Sequence, residues 1–159
     1  MRVRIVVADR AEARFYDIER RDAALKSAGR MTDPQAHLHN RDFNSDRPGR
    51  VYDRAPDRER RGGVAHHATG GERTPKKHEA ELFARRIVDE LDRAHQQGRF
   101  ERLVLMAAPA FLGELRELIP KSLRASVVLQ IPKDLVHQDE AAISTQLTPA
   151  VFAAQATPA

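Results

Sequence analysis

The chain has 159 residues, 27 Lys and Arg against 23 Asp and Glu, a formal net charge of +4 and a hydrophobic share of 41%. That length buries one continuous core and leaves no room for a second of similar size. Cysteine is absent, which excludes disulfides, thiolate nucleophiles and cysteine-held metals and suits a reducing compartment.

The first residues, MRVRIVVADR, hold an apolar run far too short for a signal peptide. No later stretch approaches the roughly 20 apolar residues of a membrane span, so the expected location is the cytoplasm and no membrane partner is expected. Arginine greatly outnumbers lysine, which occurs only at positions 26, 76, 77, 121 and 133. The guanidinium fork suits phosphate, although a GC-rich genome produces the same bias without any functional cause.

Residues 3–8 read as an apolar strand ended by Asp9, and residues 13–18 resume in extended style around Phe15 and Tyr16. The link between them is short enough to require a hairpin. Residues 25–31 supply a third strand, diluted by Lys26, Ser27 and Gly29. Residues 32–75 then turn to Arg, Asp, Gly, Pro, Asn and His and read as a long irregular loop, of the kind that carries function or stays loose.

Thr74 and Pro75 open a long helix whose stripe is Ala80, Ala84, Ile87, Leu91 and Ala94, widened by Phe83 and Val88 and stopped by Gly98. RLVLMA at 102–107 is a central strand, FLGELRELI a helix ending before Pro120, and residues 127–131 a further strand. A last helix is expected from Gln138 or Asp139 to Leu147. The domain is thus expected over residues 1–147, with 148–159 as a flexible C-terminal tail.

The order βββαβαβα predicts an α/β domain with a mixed, ribonuclease H-like sheet covered on both faces. A flavodoxin-like or Rossmann order competes, but it requires a helix soon after the first strand and a GxGxxG that is missing here.

A two-metal nuclease would need carboxylates at several strand ends. Asp9 supplies one, but the strand at 102–107 is followed by Ala108 and Pro109, and Asp134, Asp139 and Glu79 would have to converge from afar. His37, His39, His66, His67 and His78 could bind zinc through imidazole nitrogen but form no HExxH pattern, so neither a metal nor a cofactor is expected. No serine lies in a GxSxG context, and the glycine pairs Gly62, Gly63 and Gly70, Gly71 precede no GK[ST]. Eight arginines between Arg41 and Arg73 could grip a phosphate backbone. Asp42, Asp46, Asp53, Asp57, Glu59 and Glu72 alternate with them, so local salt bridging on a solvated loop explains them equally well.

Five strings together resemble the bacterial family of proteins required for attachment to host cells: ADRAEARFY, NRDFNSDRPGR, KKHEAELFARRIVDEL, RFERLVLMAAPAFLGELR and KDLVH. That family is thought to be similar to the central domain of archaeal and eukaryotic peptide-chain release factors, which implies a ribonuclease H-like fold and a link to RNA, the ribosome and translation. In those factors a Gly-Gly-Gln tip before a long helix promotes peptidyl-tRNA hydrolysis. Here Gly70 and Gly71 are followed by Glu72, whose carboxylate cannot donate the glutamine's amide hydrogen bonds.

The resemblance and the strand ends point to one candidate site: Asp9 and Arg14 after the first strand, Arg47 and Arg50 in the loop with Gly70 and Gly71, His78 and Glu79 opening the long helix, and Lys133 and His137 after the last strand. Three functions compete. The first is a non-catalytic RNA- or ribosome-associated binder using Arg14, Arg47, Arg50 and Lys133. The second is a peptidyl-tRNA or phosphoester hydrolase with His78 or His137 as base beside Glu79 or Asp9. The third is a protein-interaction module acting on attachment indirectly.

Overall fold

The computed structural model describes residues 1–36 and 75–153. Five strands form one mixed sheet: β1 (Val3–Ala8), β2 (Glu12–Ile18), β3 (Lys26–Thr32), β4 (Arg102–Ala107) and β5 (Val127–Ile131), in the order β3-β2-β1-β4-β5. β1 runs antiparallel to β2, from Val3 opposite Ile18 to Ala8 opposite Ala13, and parallel to β4, from Val3 beside Arg102 to Ala8 beside Ala107. β2 is antiparallel to β3, and β4 is parallel to β5, so β2 alone runs against the rest. This is the ribonuclease H-like order that the sequence predicts, and the β1–β2 hairpin excludes the all-parallel competitor.

Every residue of β1 and β4 is buried, as expected for central strands covered on both faces. Alternation sends Val6, Ala8, Phe15, Leu103 and Leu105 to one face. There α1 (Pro75–Gln96) lays down Ala80, Phe83, Ala84, Ile87, Val88, Leu91 and Ala94, the stripe expected from the sequence. α2 (Pro109–Leu118) packs beside it, with the Phe111 ring 6.3 Å from that of Phe83. Gly98 ends α1 in a left-handed conformation, φ 67°, while Gly98 and Arg99 donate back to His95 and Ala94.

The opposite face carries Val3, Ile5, Val7, Tyr16, Val104 and Met106, covered by Val136, Ile143 and Leu147. β3 is the exception: six of its seven residues are exposed, an edge guarded by Lys26 and Arg30 and by an irregularity at Phe15 and Tyr16.

Four details differ from the sequence reading. β2 begins at Glu12 and β3 spans Lys26–Thr32, each one residue from the expected bound. A one-turn helix, α3 (Lys121–Arg124), is added after Pro120, too short to show a period. α4 is only Glu140–Thr145: Asp139 caps its start by accepting from the Ala142 N–H at 2.8 Å, and the Gln146 N–H closes its end on the carbonyls of Ile143 and Ser144. Residues 149–153, expected to belong to a loose tail, begin with a 3-10 turn, Pro149–Val151. Its Val151 is 1% exposed in the second core, and its carbonyl accepts from Arg102 Nη1 at 2.6 Å. Most of the expected loop, residues 37–74, lies outside the described residues.

Candidate functional site

Asp9 follows β1 directly, and its Oδ1 accepts from the N–H groups of Ala11 and Glu12 at 2.8 and 2.7 Å, which closes the β1–β2 turn. Asp33 repeats the device after β3, accepting from Gln35 at 3.1 Å, and Asp134 does so after β5, accepting from Val136 at 3.4 Å. Three turn-forming aspartates therefore stand at the carboxyl ends of three strands that all point the same way. With Glu79 and Lys76 from α1, Arg10 and Ala11 from the hairpin, and Ala108, Ala110 and Phe111 from the start of α2, Asp9, Asp33 and Asp134 line a cleft of about 520 Å³. A crevice at this position is where α/β sheets bind ligands.

The charges in the cleft are layered. Asp33 is buried and Asp9 and Glu79 are half-buried, whereas Arg10 and Lys76 at the mouth are exposed, as are the neighbouring Lys77 and His78. Ala36 and Lys76 both line the cleft, so residues 37–74 leave and rejoin the described fold at its rim. Among the described residues no group of three His, Asp or Glu side chains converges to hold a metal ion.

The residues expected from the sequence are distributed as follows. Asp9 and Glu79 share the cleft, and His137 reaches Asp9, its Nε2 lying 3.7 Å from Oδ2. His78, on the exposed side of α1, does not line it. Arg14 lies along β2, where it and Arg30 of β3 bind the same Glu12 carboxylate at 2.7 and 2.8 Å. Burial alone would raise the pKa of Glu12, but the hydrogen bond and charge of Arg14, joined by Arg30, hold it below the ordinary value of 4.5. Lys133 donates to Gln146 at 3.0 Å, away from the cleft lining. Arg47, Arg50, Gly70 and Gly71 lie outside the described residues.

Arg10, Asp33 and Lys76 belong to no catalytic or metal-binding motif in the sequence, and Asp134 lies far from Asp9 along the chain, yet all four line the cleft. The available signal was positional: an aspartate at or just past the end of a strand, three times over, in strands whose order makes their ends converge. A further missed group is Glu114 on α2. Burial is the chief cause that raises its pKa, with Glu81 and Glu117 adding to the shift and Arg10 and Lys77 opposing it.

Fold and cleft together define a ribonuclease H-like α/β domain with a polar crevice at its parallel strand ends. A family model described as "Protein required for attachment to host cells" matches residues 4–147, and the chain belongs to that family. Its fold is similar to the crystal structure of the archaeal translation termination factor aRF1, at 9% identity and a TM-score of 0.49, covering 95% of this chain and 36% of that one. It is similar also to a structure titled only "Archaeal protein", at 10% identity and a TM-score of 0.45, covering 91% and 35% of the two chains. The chain thus spans about a third of the length of either structure. No curated protein matches it significantly. No described helix is long and apolar enough to cross a membrane.

Proposed function

We propose that this member of the host-attachment family is a cytoplasmic, non-catalytic binding domain for RNA, working on or beside the ribosome, and that its part in attachment is indirect. The observation that carries the reading is the layering at the cleft mouth. The exposed cations Arg10, Lys76 and Lys77 stand where residues 37–74, with eight arginines, leave and rejoin the fold. A phosphate backbone is held by several such cations together, releasing counterions as it binds. The acids below them are committed to turns: Asp9, Asp33 and Asp134 each accept a backbone N–H.

Co-sedimentation of the full chain with ribosomes and with free RNA across a salt series tests this reading. Saturable binding is expected at low salt, weakening steeply as salt rises and falling further when Arg47 and Arg50 are replaced by Ala. Absence of binding at low salt overturns it.

One observation favours a second reading, a peptidyl-tRNA or phosphoester hydrolase. His137 faces Asp9 across the cleft wall, an acid-histidine pair of the sort that orients a general base. Under that reading His137→Ala abolishes turnover of peptidyl-tRNA while the fold remains. Glu72 in place of the release-factor glutamine weighs against it, because the carboxylate lacks the amide donors.

A further inference from the structure

Beside the main cleft, and sharing Arg10 and Ala110 with it, lies a second hollow of about 540 Å³, lined also by Lys77, Pro109, Gly113, Glu114 and Glu117. Among the described residues, two of its groups find no hydrogen-bond partner. Glu114 Oε2 is shut off from solvent and takes part in no hydrogen bond, although buried carboxylate oxygens ordinarily find a donor. Arg10 is the converse: an exposed guanidinium that forms no hydrogen bond or ion pair with a described residue. Both side chains line the hollow, and the charge of Arg10 opposes the rise in the Glu114 pKa. Between them α2 presents only Pro109, Ala110 and Gly113, and a Cβ added to Gly113 would meet nothing within 4 Å. The floor of the hollow is therefore a low shelf with room above it.

A simple anion fits this hollow poorly, since Glu114 and Glu117 would repel what Arg10 attracts. A ligand that is anionic at one end, planar, and rich in N–H donors at the other matches all three features. Nucleotides have that form: cytosine N4, adenine N6 and the amino edge of guanine donate, and carboxylates accept from them. We propose that this hollow is a nucleotide subsite, in which Arg10 holds the phosphate and the Glu114 carboxylate, turning its covered Oε2 into the hollow, accepts an N–H of a base lying on the shelf of Ala110 and Gly113. The proposal rests on the RNA-binding reading and deepens it, by naming where one nucleotide of the strand sits.

The test is a titration of the full, ¹⁵N-labelled chain with CMP, cytidine and inorganic phosphate, followed by amide shifts. CMP is expected to shift Ala110, Gly113 and Glu114 saturably. Arg10→Ala should weaken CMP about tenfold, the loss of one charge-assisted contact, and leave cytidine unchanged. Glu114→Ala should weaken both. Gly113→Leu should abolish CMP binding while the rest of the spectrum stays in place, because leucine fills open space at a helical position that favours it over glycine. No saturable shift with CMP, equal shifts and affinity with inorganic phosphate, or unchanged CMP binding in Gly113→Leu each overturn the subsite. Co-sedimentation separates the two claims. RNA bound by wild type without any CMP binding sinks the subsite alone, and CMP binding without RNA co-sedimentation supports the subsite and sinks the RNA reading.

Discussion

The guanidinium of Arg4 grips Asp17 across the β1–β2 pair, Nη2 to Oδ2 at 3.0 Å, with its carbon 5.2 Å from the centre of the Phe100 ring. Arg4 is 6% exposed at its side chain and Asp17 21%, so a central strand of the sheet carries a charge that, among the described residues, Asp17 neutralises. Asp17→Ala strands that charge and should cost about 2–3 kcal/mol, reduced from the fully buried case because Asp17 touches solvent. Arg4→Met, which keeps the volume and removes both charge and need, should cost less. Urea denaturation of the two variants measures the order; an equal or reversed cost would show that the stem of Arg4, and not its charge, matters.

Glu12 makes stability depend on acid. Its pKa lies below 4.5 in the fold, so the unfolded chain takes up the proton first as pH falls. The stability it contributes is complete above the unfolded value and is lost as pH drops through the folded one. Glu12→Gln should therefore flatten the acid side of the stability curve and cost about 1–2 kcal/mol at pH 7, a cost that shrinks as the pH falls through the lowered folded value. Denaturation midpoints between pH 3 and pH 7 provide the check.

Glu114 has the opposite sign. Its raised pKa means that the folded state holds the proton longer, so stability falls as pH rises from the unfolded value through the folded one. Glu114→Gln should raise Tm by about 2 °C at pH 7, and the gain should vanish below the ordinary carboxylate pKa. Thermal melts of both proteins at pH 4 and pH 7 decide it; a gain equal at the two values would place the cause outside titration.

Val151 should behave as a core residue. Val151→Ala is expected to cost about 1–2 kcal/mol. Truncation after Thr148 should cost more, because it opens the second core and also removes the carbonyl that satisfies the buried Arg102. Melting of the truncated chain at or above the wild-type temperature would refute this.

The sheet was legible because its signals are local. The apolar runs of β1 and β4, at residues 5–8 and 103–107, and the stripe of α1 need only periodicity, and the short Asp9-to-Glu12 link needs only turn chemistry. The turn at Pro149–Val151 was not legible, because the segment carries no period and its anchor, Arg102, lies far away in sequence. The candidate site was half legible. Asp9 and Glu79 were found by their places at a strand end and a helix start, and His137 by the KDLVH string. Arg14 and Lys133 sit at similar places but find partners elsewhere, Glu12 and Gln146, which spacing does not reveal. Glu114 was invisible, because on α2 it looks like any solvated helix carboxylate until Arg10 and the α1 start enclose it.

The anchoring of Val151 to Arg102 decides how this protein is best handled. Arg102 opens β4 and Ala107 closes it, and six residues of strand span about 20 Å. The described chain thus reaches residue 153 at the amino-terminal rim of the sheet, the width of the domain away from the cleft. Attachment to a sensor surface through the C-terminus therefore presents the cleft outward, whereas attachment through lysine chemistry would engage Lys76 and Lys77 at its mouth and obscure the binding under test.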